Sequence, residues 1–181
     1  MLLPAWMHQR RPLLFVLAAA LVLFAVNNLL LARVNQLYLG GSATGAITTA
    51  FLAFLMLSIR ARGVPPLVFL AYGACGLTSH LLAGDAGYVF LLVIIVACAA
   101  LYDLAVARLG YHLWGIATAF PLFVLALGAT TIGLDVARHP HPIAAGAEAL
   151  AAARAVALGW CGILAGSAAH ALWARLRRRP R

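Results

Sequence analysis

The sequence predicts an all-α polytopic membrane protein of six transmembrane helices with both termini on the cytoplasmic side. Three observations lead there. The chain has 181 residues, of which 65% are hydrophobic and 9% charged, and its mean hydropathy is +1.01. The apolar residues gather into stretches near the roughly 20 that a helix needs to cross the hydrocarbon. Arginines recur at alternate breaks between the stretches: Arg10 and Arg11, Arg60 and Arg62, Arg108, then Arg175, Arg177, Arg178, Arg179 and Arg181.

The first span, 12–31, follows a basic stretch, as the core of a signal peptide does. It runs on to Leu31 without a convincing cleavage site, and five further spans follow, so a retained helix is expected. Gly40, Gly41 and Gly45 surround the next connection and permit a tight turn before the short second span, 44–59. Pro65 and Pro66 open the third span, 65–83, where a missing N–H costs least. The fourth, 87–107, stops at Arg108. The fifth, 113–134, contains Pro121, which should bend it and free a backbone carbonyl that a neighbour must satisfy. The sixth, 149–174, is the longest and ends in the arginine tail. Six spans absorb nearly the whole chain, leaving one membrane domain, 1–181, and no soluble one.

Sides follow from charge. Ten arginines mark the cytoplasmic side, whereas the first, third and fifth connections carry only Arg33 and Arg138 with Asp85 and Asp135. That asymmetry is the positive-inside pattern. The formal charge of +9 is then accounted for by orientation and anionic lipid, and no nucleic-acid partner is expected. A plasma-membrane location in a prokaryote is expected. No GxxxxGK[ST] phosphate loop is present, so active transport would need a partner or an ion gradient. Cys75, Cys98 and Cys161 lack CxxC spacing and read as packing residues. Small residues four apart, among them Gly41/Gly45, Gly162/Gly166 and Ala165/Ala169, suit close helix packing in lipid.

Polar side chains concentrate in the outer half. Asn27, Asn28, Asn35, Gln36, Tyr38, Thr48, Thr49 and His80 come from the first half of the chain, and Thr130, Thr131, Arg154 and Trp160 from the second. Such groups face a cavity, one another or the headgroups, and both an outward-facing pocket and a headgroup belt fit the pattern. Arg154 could meet an anionic ligand, pair with Asp135 or Glu148, or reach outward. Asp135, His139 and His141 form a D-x3-H-x-H cluster whose donors suit a transition metal, although a solvated loop explains it better. Asp103 is expected to pair with Arg108 or with the Arg60/Arg62 loop. An intramembrane serine protease is excluded, because Ser42 is followed by Ala43 instead of glycine and lies at the opposite depth from His170. No enzymatic activity and no cofactor are expected.

The first span PLLFVLAAALVLFAVNNLLL, the glycine-bearing ARVNQLYLGGSATG, the RARGVPP turn and the ending GWCGILAGSAAHALWARLRRR carry a family resemblance. In layout the chain resembles the substrate-capture (S) components of energy-coupling-factor (ECF) vitamin transporters. The resemblance implies a small-molecule substrate, a vitamin or precursor, taken from the outer side, with a transmembrane coupling subunit and ATPase subunits as partners. It further implies Asn35, Gln36 and Tyr38 as lid residues, and His80, Arg154 and Trp160 as pocket walls. The chain departs from the family where alanines four apart in the first span dock the coupling subunit: Ala18, Ala19 and Ala20 are followed four later by Val22, Leu23 and Phe24. The alternative is a non-transporting membrane scaffold of the rod-shape-determining type, which needs no polar pocket.

Overall fold

Backbone amides in hydrocarbon must be satisfied within their own segment, and a continuous apolar run does this by forming a helix. The computed structural model describes residues 10–27, 42–82, 87–138 and 145–177. Among the described residues there are six helices and no strand. They are α1 (Arg10–Ala25), α2 (Ser42–Ile59), α3 (Val64–Leu82), α4 (Gly87–Leu109), α5 (Leu113–Arg138) and α6 (Ala145–Arg177). Each agrees with an expected span to within a few residues, except that α1 gives way to a π turn at Val26 and Asn27. Three helices, α4, α5 and α6, are long and apolar enough to cross a membrane. At 1.5 Å per residue the 33 residues of α6 reach about 50 Å, well beyond the ~30 Å of hydrocarbon.

The turns at the arginine-rich end are short, and their stops are legible. α2 ends on Arg60, whose φ of 50° is sterically unfavourable for a side-chain-bearing residue. Its amide bonds Met56 O at 2.9 Å, and its Nε donates to Leu57 O at 3.3 Å. Pro65 and Pro66 occupy the first turn of α3, where amides have no helical partner anyway. α4 closes on Gly110, at φ 99°, whose N–H bonds Val106 O at 2.7 Å. That is the glycine stop common at helix C-termini.

α2 is the central helix. It packs most extensively on α6 and also touches α1, α3 and α5, while the others follow one another around it in the order α1, α3, α4, α5, α6. Its Leu52, Ala53, Leu55 and Met56 are buried, and Val16, Leu23, Val68, Tyr102, Val106, Ile116 and Ile163 complete the core from the surrounding helices. Tyr102, Phe120 and Phe123 form an aromatic knot between α4 and α5, with centroids 5.7–6.2 Å apart, and Phe69 of α3 stacks on Phe123. Outside, large apolar side chains such as Leu14, Leu21, Val93, Leu101, Leu122, Leu125 and Leu164 stand exposed. In water so apolar a surface would be an association site; it suits a hydrocarbon surrounding.

The α2–α6 contact rests on glycine. A methyl group at Gly162 would collide with Ala46 O and Thr49 Oγ1, and one at Gly166 with Ala50 O. Gly162 and Gly166 therefore admit the backbone of α2 directly, as their spacing of four suggested. Gly162→Ala and Gly166→Ala are each expected to destabilise the bundle by ~1–3 kcal/mol, because the obstructing atoms are mostly backbone. Gly128→Ala, with nothing within 4 Å, should leave stability unchanged or slightly raised. Thermal unfolding in detergent compares the three.

Candidate functional site

Polar side chains gather at both ends of the bundle. At the arginine-rich end, Asp103 of α4 is only 6% exposed. Its carboxylate accepts the Gly63 N–H at 2.7 Å and the Tyr111 hydroxyl at 3.0 Å. Gly63 immediately precedes α3, so the carboxylate meets the positive end of that helix and satisfies an amide there. Sequence reasoning expected Asp103 to pair with Arg108 or the Arg60/Arg62 loop. The hydrogen bonds go to that loop through its backbone, and to Tyr111 on the next turn. Beside it, His112 Nδ1 accepts the Gly115 N–H at 3.0 Å and caps α5. The Tyr102 hydroxyl reaches Ile116 O at 3.3 Å. Burial first, then the facing Asp103 carboxylate, hold the Tyr111 hydroxyl pKa above its ordinary value, with Arg62 pulling the other way. This assembly clamps two turns together.

At the opposite end, Asn27 stands in the π turn that closes the described part of α1 and is 8% exposed. Its Nδ2 lies 3.4 Å from Thr48 Oγ1 of α2 and 3.4 Å from the Tyr72 hydroxyl of α3. Its Oδ1 is buried with no hydrogen-bond partner among the described residues. Which end of the amide faces the hydroxyls is set by the hydrogen-bond network, since either orientation fits two hydroxyls. In both orientations one polar atom of the amide is left over. Phe24 packs edge-on against Tyr72, with centroids 5.6 Å apart. Nearby, the Tyr88 hydroxyl donates to Gly73 O at 3.0 Å.

Of the residues expected to form a pocket, three are described, and each has its own surroundings. Asn35, Gln36 and Tyr38 lie outside the described residues. So do His139, His141 and the side chain of Asp135, the residues of the possible metal cluster. His80, near the end of α3, stacks on Tyr88 of α4 at 3.8 Å with the rings 3° from parallel. Arg154 is exposed on α6, a helix with no extensive contact to α3. Trp160, 45% exposed, donates its indole N–H to Ala117 O at 2.9 Å. Ala117 is four residues before Pro121, and its carbonyl is the one that proline leaves without a helical donor. The freed acceptor foreseen from Pro121 thus has its partner in Trp160. Sequence reasoning did not single out Tyr72 or Tyr88; two tyrosines within apolar helices, each needing a hydroxyl partner, were the available sign.

Comparison with known protein families, curated proteins and solved structures finds no match to this chain. Its function must therefore be read from its own residues.

Two outcomes test these assignments. Trp160→Phe should destabilise the protein by ~0.5–1.5 kcal/mol, and the loss should shrink in a Pro121→Ala background, where residue 121 regains the N–H that Ala117 O needs. Equal losses in both backgrounds would separate Trp160 from the proline. Secondly, a raised tyrosine pKa means that the folded state holds this proton more tightly than the unfolded one. The Tyr111 contribution is thus complete below pH ~10, the ordinary tyrosine value, and is lost above it. Unfolding midpoints should fall above pH ~10 in the wild type and fall less in Tyr111→Phe.

Proposed function

We propose that this chain is the membrane-embedded substrate-binding subunit of an ECF-type importer. In this reading it crosses the plasma membrane of a prokaryote six times, with both termini in the cytoplasm. It captures a small vitamin or vitamin precursor from the outer side and relies on a coupling subunit and partner ATPases for the work of transport. The observation that carries the reading is the buried, unpartnered Asn27 Oδ1, held among Thr48 and Tyr72. An orphaned polar atom in an apolar bundle costs about 1–3 kcal/mol, and a hydrogen-bonding group of a ligand would relieve that cost. Asn27 directly precedes the 28–41 connection, which carries the expected lid residues Asn35, Gln36 and Tyr38. A lid closing there would shield the ligand from water, and the whole subunit would then reorient against its partners.

The second reading, a non-transporting scaffold of the rod-shape-determining type, is favoured by a different observation. His80 stacks within the α3–α4 contact and Trp160 bonds across the α5–α6 contact, while Arg154 is exposed on α6. A scaffold would bind partner helices through apolar faces and would have no use for Asn27.

A ligand screen separates the two. The purified protein is heated with a panel of vitamins and precursors, each supplied well above micromolar. A true ligand at 100 times its dissociation constant adds about 2.7 kcal/mol of stability, readily seen as a raised midpoint. Asn27→Leu should keep the fold, which loses a half-satisfied amide, yet abolish the ligand shift. A panel that moves neither protein would sink the capture reading.

A further inference from the structure

At the arginine-rich end a cleft of about 140 Å³ opens between α1, α2 and α6, lined by Phe15, Ser58, Ile59, Trp173 and Arg177. We propose that this cleft binds the phosphate headgroup of an anionic phospholipid of the cytoplasmic leaflet. It is separate from the Asn27 cluster and does not depend on the capture reading; it depends only on the arginine-rich end facing the cytoplasm.

Size and depth come first. The volume is close to the ~150 Å³ that holds a benzene-sized group in an engineered cavity, enough for one phosphodiester. The cleft closes inward on aromatic rings: Phe54, one turn deeper than Ser58, meets Phe15 at 6.4 Å and His170 at 6.3 Å. Its outer wall is the last turn of α6, which overruns the hydrocarbon and so reaches headgroup depth. Trp173 beside Arg177 is the pairing that marks a membrane interface.

Charge decides the occupant. The Arg177 guanidinium lies 4.6 Å from the Trp173 ring centroid. That contact positions the cation without consuming its N–H donors, which suit a phosphate. Ser58 adds an exposed hydroxyl. Arg11 lies four residues before Phe15, hence on the same face of α1, and is exposed there. Among the described residues, no carboxylate lines the cleft. Of the chain's acids, Asp103 is bound to Gly63 and Tyr111, and Glu148 is in the first turn of α6, some 44 Å along the axis from Arg177. The protein supplies cations and an apolar floor here, and the complementary ligand is an anion with an acyl tail.

The test is native mass spectrometry of the purified full chain, titrated with phosphatidylglycerol or phosphatidylcholine of identical acyl chains. Phosphatidylglycerol should bind at least tenfold tighter. Arg177→Gln should erase about tenfold or more of that preference, as expected for a charge-assisted hydrogen bond. Arg175→Gln, which removes an equal charge outside the cleft, should lose less than about fivefold, the diffuse surface contribution. Equal binding of the two lipids overturns the proposal. So does an equal loss in Arg175→Gln, which would mean diffuse attraction, or displacement of the lipid by an equimolar amount of inorganic phosphate, which would mean a site for the free anion. If Arg177→Gln loses helix content by circular dichroism, Ser58→Ala carries the test: weaker phosphatidylglycerol binding supports the cleft, and unchanged binding overturns it.

Discussion

The bundle depends on one close contact, the backbone-to-backbone packing of α2 on α6 at Gly162 and Gly166. Between apolar helices in lipid the hydrophobic effect contributes little, so association relies on how nearly backbones approach. Ala46, Thr49 and Ala50 offer small surfaces on α2, and the two glycines remove the obstruction on α6. Because α2 also touches α1, α3 and α5, fixing it against α6 positions the whole ring. Thr49 shows the fit: buried at 7% exposure, its hydroxyl bonds back to Gly45 O and Ala46 O of its own helix. Its polar atom is thereby satisfied without a partner from α6, and the interface stays free to be close.

A second constraint follows from the surroundings. Away from water, each backbone group freed by a helix end or a proline must find a partner within the protein. The structure answers case by case. Trp160 serves the carbonyl that Pro121 orphans, Asp103 serves Gly63 ahead of α3, and His112 serves the start of α5. These three side chains are polar in an apolar chain, and each has a structural task. Among the described residues, Asn27 Oδ1 is a buried polar atom left without such a partner.

The positions of the helices were legible in the sequence because long continuous apolar runs form helices, three of them long and apolar enough to cross a membrane. All six helices fall close to the expected spans. Partner choice was less legible. The spacing of Gly162 and Gly166 is the same as that of Gly41 and Gly45, yet Gly45 has open space around it, and Ala165 and Ala169 are exposed. Spacing shows which residues share a helix face, and only the order of helices around α2 shows what that face meets. For the same reason the need at Pro121 could be read from the sequence while Trp160 as its answer could not. Asn27 and Thr48 were visible as polar residues at matching depth. Tyr72, an aromatic on a third helix, joins them only through folding.

The polar contacts described at the two ends of the molecule differ in how tightly they are made. At the arginine-rich end the turns between α2 and α3 and between α4 and α5 are a few residues long, set by Gly63 and Gly110, and Asp103 bonds to both. Such an end resists rearrangement, because moving either turn would strand a buried carboxylate. At the other end Asn27 holds its neighbours through contacts of 3.4 Å, long for hydrogen bonds, and leaves one polar atom unmet. A protein that must admit a ligand needs one part it can open and another that keeps the helices in order while it does. On the capture reading proposed above, the clamp at Asp103 and the glycine contact at α6 supply the second, and the loosely bonded Asn27 region is the part that would open.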